Sequence, residues 1–132
     1  MKQFSFPVRV YYEDTDAGGV VYYANYLKFF ERARTEMLRA MGCEQDELRA
    51  KEDILFVVRS VQVDYLHSAL FNDLLDVSCH ITELKKASLT FEQHISRENK
   101  VLCSGVIRIA CLDSNTMRPK AIPSYLIDSL NA

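Results

Sequence analysis

Residues 12 to 26 read Tyr12-Glu13-Asp14-Thr15-Asp16-Ala17-Gly18-Gly19-Val20-Val21-Tyr22-Tyr23-Ala24-Asn25-Tyr26. Two carboxylates one residue apart are followed by two adjacent glycines, which open the φ > 0 region a tight turn needs. The pattern predicts a helix beginning near Val20 to Tyr22. The first N–H groups of a helix have no internal partners and sit at the positive end of its dipole, so they can bind an oxyanion or polarise a carbonyl. A carboxylate base beside such donors is an arrangement suited to hydrolysis.

Downstream of the turn, Tyr26, Phe29, Phe30, Ala33, Met37 and Met41 recur at three- and four-residue spacing and mark the apolar stripe of one long helix, from about Val20 to Met41. Gly42 is placed to stop it, and the acidic stretch from Glu44 to Glu52 predicts a short helical turn. Upstream, Phe4, Phe6, Val8, Val10 and Tyr12 alternate with Ser5, Pro7, Arg9 and Tyr11, a strand that Pro7 assigns to a sheet edge or an irregular start.

From residue 57 the period changes to two. Val57, Arg59, Val61, Val63 and Tyr65 share one phase, Leu75, Val77, Cys79 and Ile81 another, and Leu89, Phe91, Gln93 and Ile95 a third. A fourth strand runs from about Val101 to Leu112 after the polar turn Arg97-Glu98-Asn99-Lys100. Asp113-Ser114-Asn115 ends it, and Pro119 and Pro123 bracket a tail with a short terminal helix. Short links imply antiparallel pairing. A helix of about 20 residues is about 30 Å long and a ten-residue strand about 33 Å, so one sheet can wrap the helix.

The chain has 132 residues and is expected to form one domain over 1–132. A formal net charge of −2 with interspersed signs supplies no basic field for nucleic acid. Apolar runs fall far short of the roughly 20 residues of a membrane span, and no signal-peptide core is present at the N-terminus. A cytoplasmic location is the expectation. Cys43, Cys79, Cys103 and Cys111 lack C-x-x-C spacing and read as buried apolar residues, not as a zinc site or disulfide frame.

The run from Tyr12 to Tyr22, with Asn25-Tyr26 and Glu31-Arg32-Ala33-Arg34, closely resembles the hotdog-fold acyl-CoA thioesterases. Within them it is most similar to the YbgC type associated with the Tol-Pal envelope system, related to the 4-hydroxybenzoyl-CoA thioesterases. Phe56-Val57-Val58-Arg59, Val61 to Tyr65, Lys85-Lys86-Ala87-Ser88 and Pro119-Lys120-Ala121-Ile122-Pro123 extend the resemblance over nearly the whole chain. It implies an α+β hotdog fold, a curved antiparallel β-sheet wrapped around one long central α-helix. It implies hydrolysis of an acyl thioester, with a preference for short acyl chains, Asp16 as nucleophile or general base and the backbone N–H of Tyr23 polarising the carbonyl. Asp14, Gly19, Val20, Tyr22, Arg59, Lys85, Lys86 and Ser88 map to substrate-binding positions, Lys85 and Lys86 at the coenzyme A phosphates. Ala87 replaces a third basic residue, and Tyr23 stands where several YbgC-type members carry histidine.

The resemblance also implies a homodimer with sites at the interface, or a tetramer of two dimers. Acyl-CoA or acyl carrier protein would be the substrate partner, with coenzyme A part of the substrate and no separate cofactor. The implied location is cytoplasmic, with association at the inner face of the cell membrane. A non-catalytic acyl-thioester or acyl-carrier-protein module of envelope or phospholipid synthesis is the alternative; a hotdog dehydratase is disfavoured because no histidine base is evident beside the turn.

Other readings of single residues compete with these. Asp14 and Asp16 could serve only as turn and cap acceptors. A calcium loop fails because Gly18 and Asn25 fall at ligand positions. Glu31 is expected to pair with Arg34 or another base. His67, His80 and His94 are expected to face solvent.

Overall fold

Alternating apolar residues and a helical stripe resolve into a sheet folded over a helix. The computed structural model describes residues 3–131. The elements are β1 (Gln3–Arg9), α1 (Asn25–Ala40), α2 (Gln45–Glu52), β2 (Ile54–Tyr65), β3 (Leu74–Leu84), β4 (Ser88–Arg97), β5 (Lys100–Asp113) and α3 (Ser124–Asn131). The five strands form one antiparallel sheet in the order β1-β3-β4-β5-β2. This is the α+β hotdog architecture.

β3, β4 and β5 each turn one phase inward to the core. Val77, Cys79 and Ile81 of β3, Leu89, Phe91 and Ile95 of β4, and Ile107, Ile109 and Cys111 of β5 are buried. They meet Tyr26, Phe29, Phe30, Ala33, Met37 and Leu38 of α1, which lie on one face because the helix repeats every 3.6 residues. Leu126 and Leu130 of α3 and Leu48 of α2 close the core. Burial of this size is the main force holding the layers together, at about 25 cal/mol per Å² of apolar surface. Among the described residues no helix is long and apolar enough to cross a membrane.

The edges differ. β1 is an outer strand and carries Pro7, as expected of a residue that cannot donate to a ladder. β2, at the other margin, keeps a free edge along its twelve residues. Arg59 is the extra residue of a bulge between Val58, opposite Ile109, and Ser60, opposite Arg108.

Two expectations are corrected. α1 starts at Asn25 and not near Val20, because Val20 and Val21 are extended: Val21 bridges Thr15 and Val20 bridges Leu70. β1 ends at Arg9, and Tyr12 lies in a 3-10 turn over Tyr12–Asp14 with 79% of its surface exposed. Met41 caps α1, followed by Gly42 at φ 82°, where a side chain would be strained.

Candidate active site

The acidic turn is a small hairpin held to the rest of the chain at both ends. The Asp16 N–H donates to the Val20 carbonyl at 2.9 Å, and the Gly19 N–H donates back to the Asp16 carbonyl at 3.0 Å. Gly19 has φ 80°, the left-handed conformation this closure requires. The Val21 N–H donates to the Ala69 carbonyl at 2.9 Å, pinning the hairpin beside the loop before β3.

Asp14 and Asp16 have different tasks in this hairpin. Asp14 is structural: its carboxylate accepts the Tyr11 N–H at 2.7 Å, while its carbonyl accepts the Tyr22 N–H and Asn25 Nδ2, each at 2.9 Å. Buried Asn25 thereby ties the first turn of α1 to the hairpin. Asp16 spends one carboxylate oxygen, Oδ1, on the Gly18 N–H at 2.8 Å. The side chain is otherwise exposed, so Oδ2 is open to an incoming molecule.

Asp16, Val20 and Tyr23 share the lining of a recess of about 260 Å³ with Val21, Tyr26, Tyr65, Leu66, His67 and Ser68. Tyr23 lies two residues before α1, and its N–H donates to no acceptor among the described residues. Its carbonyl accepts the Tyr65 hydroxyl at 3.1 Å, which orients the peptide ahead of the helix. Tyr22 packs on Tyr23 with ring centroids 4.9 Å apart, and Tyr65 meets Tyr26 edge-on at 5.5 Å. Burial raises the Tyr26 hydroxyl above its ordinary value, and this hydroxyl accepts the Ala69 N–H at 2.9 Å. The recess is therefore lined by a residue with a free carboxylate oxygen, by one whose N–H has no protein acceptor among the described residues, and by an aromatic wall. The carboxylate can take a proton or attack, and the donor can stabilise developing negative charge on oxygen.

The sequence-derived set is not all in one place. Asp16, Val20 and Tyr23 line the recess, with Gly19 and Tyr22 adjoining in the same hairpin. Lys85, Lys86 and Ser88 lie at the far end of β3, about 30 Å away along a strand of this length. Lys85 pairs there with Glu83 at 3.2 Å, and the Lys86 carbonyl accepts the Ile122 N–H at 2.8 Å. Arg59 is exposed on the β2 bulge.

The expected Glu31–Arg34 pair does not form. Glu31 is exposed, and Arg34 turns inward to donate to Gln93 Oε1 at 2.9 Å, because α1 places it on the face that packs against β4. His67 is solvent-facing as expected, yet it lines the Asp16 recess, a placement created by the long-range Val20–Leu70 bridge. Gln93 in the apolar phase of β4 was a visible sign of a buried polar contact.

The Thioesterase-like superfamily model matches residues 10–130. The acyl-CoA thioesterase YbgC of Haemophilus influenzae is 49% identical over 120 residues, covering 91% of this chain and 88% of that protein. The acyl-CoA thioester hydrolase YbgC of Escherichia coli O157:H7 is 46% identical over 125 residues, covering 94% and 92%. The crystal structure of a probable thioesterase from Bartonella henselae superposes with TM-score 0.88 at 34% identity, over 92% of this chain and 100% of that one.

Proposed function

The chain belongs to the thioesterase-like superfamily, among its YbgC acyl-CoA thioesterases, and from that premise we propose that Asp16 and the Tyr23 N–H form its hydrolytic centre. The reaction is hydrolysis of an acyl-CoA thioester. One water is consumed, the C–S bond breaks, and the products are a carboxylic acid and the free thiol of coenzyme A. Coenzyme A enters as part of the substrate, and the route uses no metal or separate cofactor.

The observation that carries this reading is the shared recess of Asp16 and Tyr23. The thioester carbonyl oxygen sits at the Tyr23 N–H, near the positive end of α1. Oδ2 of Asp16 then removes a proton from water or attacks the carbonyl itself.

The site is completed by a second copy. β2 has a free edge with Val58 50% and Val61 45% exposed, and two such edges pair antiparallel about their midpoint. The end of β2, Tyr65, adjoins the Asp16 recess. Its start adjoins the lysine turn: Val57 lies opposite Ala110, which lies opposite Ser88. Antiparallel pairing brings the start of one strand beside the end of the other, so the partner's Lys85 and Lys86 approach this chain's Asp16 and can take the coenzyme A phosphates. A tetramer of two such dimers, a cytoplasmic location and association with the Tol-Pal system at the inner membrane face belong to the same proposal and rest on family membership.

The test is thiol release from acyl-CoA esters of graded length, with acyl carrier protein thioesters in parallel. Asp16→Asn should lower kcat by about 10²–10⁴-fold while leaving the fold and assembly unchanged. Undiminished turnover in that variant would move the chemistry away from Asp16. Single turnover in ¹⁸O-water separates the two routes, since an anhydride intermediate leaves label in the Asp16 carboxylate and direct water attack does not.

A further inference from the structure

Arg34 is an interior cation with no carboxylate among the described residues within ion-pair distance; Glu31, one turn earlier on α1, acts on its guanidinium only at longer range. It is 9% exposed on the sheet-facing side of α1, and of the five N–H donors of its guanidinium one is matched, by Gln93 Oε1 at 2.9 Å. Gln93 cannot turn away: its Nε2 donates to the Phe30 carbonyl at 3.1 Å and to Cys79 Sγ at 2.9 Å. A neutral amide orients the guanidinium but does not neutralise it. Among the described residues Arg34 forms no ion pair. A buried charge left unpaired is costly, which makes an anionic ligand the natural complement.

The remaining donors have somewhere to reach. Among the described residues no fully buried side-chain polar atom lacks a partner, and Arg34 lines a cavity of about 220 Å³ walled by Phe56, Val58, Leu89 and Phe91. Glu31 also lines this cavity, but its side chain is exposed, so its charge is largely hydrated. The volume falls below the ~300–1,000 Å³ of drug-sized pockets and suits a chain of a few carbons, not a nucleotide.

Phe56 and Val58 belong to the start of β2, and Tyr65 at its end adjoins the Asp16 recess. Within one chain the two places are about 30 Å apart along the strand. The antiparallel pairing of two β2 edges sets the cavity of one copy beside the Asp16 of the other. We propose that Arg34 is a specificity-determining residue, whose guanidinium holds the terminal carboxylate of a short ω-carboxyacyl-CoA while the partner copy's Asp16 hydrolyses the thioester at the other end. This rests on the shared thioesterase site described above. Water and the ω-carboxyacyl thioester give a dicarboxylic acid and coenzyme A, with the C–S bond broken and the proton of water passing to the thiol.

The probes are succinyl-CoA, its ω-methyl ester and butyryl-CoA, with spontaneous hydrolysis subtracted, on dimeric wild type, Arg34→Gln and Arg34→Lys. Wild type should favour succinyl-CoA over the ester in kcat/KM by about 10- to 100-fold, the scale of a hydrogen bond to a charged group. Arg34→Gln should abolish that ratio, and Arg34→Lys should restore part of it. Equal treatment of the two probes by wild type, or an unchanged ratio in Arg34→Gln, would overturn the role of Arg34. Should the variants fail to dimerise, the wild-type ratio alone decides. Turnover of butyryl-CoA without charge preference, or no turnover of these short probes beside turnover of longer acyl-CoA esters, defeats this inference only, whereas no turnover of any thioester in the graded panel defeats the thioesterase reading beneath it.

Discussion

Cys43, Cys79, Cys103 and Cys111 are all free and buried, and burial pushes the thiols of Cys79 and Cys103 up to about 12 and that of Cys43 to about 11. Lost hydration disfavours the thiolate, and at Cys79 it outweighs the opposing pull of the nearby Arg34 and of Gln93, so these sulfurs are inert at neutral pH. A disulfide reagent at pH 8 should leave the native protein unlabelled over the minutes of an assay and titrate four thiols once guanidinium unfolds it. Fast labelling of the native state would show an accessible sulfur that burial does not allow. At this scale the sequence was informative where chemistry is local. The Asp16 turn is contiguous, and the apolar phase of Cys79, Cys103 and Cys111 announced their burial. Arg34 and His67 were not legible, because one depends on a residue 59 positions away and the other on a bridge between the hairpin and the loop before β3.

At Gly105 β5 and the Phe30 ring of α1 meet closely. A Cβ at Gly105 would stand 3.1 Å from the Phe30 ring and 3.1 Å from Ile107. The bare backbone lets the ring of Phe30 press on the strand, and a methyl group would force the helix or the ring to shift. Gly105→Ala should therefore destabilise the protein by about 1–3 kcal/mol, the usual cost of overpacking a core. Denaturant titration would show this as a lower midpoint at unchanged slope; an unchanged midpoint would mean that α1 yields freely. β3 and β4 were readable because their buried and less buried phases alternate, and the long helix because its stripe is continuous. The start of α1 was misplaced by five residues since valines at 20 and 21 fit either state, and what decides them is pairing with Thr15 and Leu70. Arg59 was read in phase with Val57 and Val61, whereas the bulge at this position interrupts the alternation.

The assembly proposed for the whole molecule ties activity to β2. Val61 lies near the midpoint of that strand, where each copy confronts itself across the two-fold axis, so Val61→Lys sets like charges against each other on an edge that must pair. The variant should sediment as a folded monomer, and kcat/KM should fall by about two orders of magnitude as Asp16 loses the lysines and cavity of its partner. Full activity in a monomer would show that each chain carries a complete site. This scale was the least legible from residue patterns. Lys85 and Lys86 look like an ordinary solvated turn, and within a single chain they lie far from Asp16. Only the register linking Ser88, Ala110 and Val57 shows which end of β2 they accompany.

Pro7 has a consequence for growth. A sheet with two receptive margins can add copies at both, and nothing in its geometry tells it when to stop. In this chain the β1 margin contains a residue with no N–H to offer, so the outward row of donors is broken where a further strand would dock. Joining two copies through β2 turns both β1 strands to the outside, and the doubled sheet ends in the less receptive strand on either flank. A single imino acid thus biases the molecule towards a finite particle and away from a fibre.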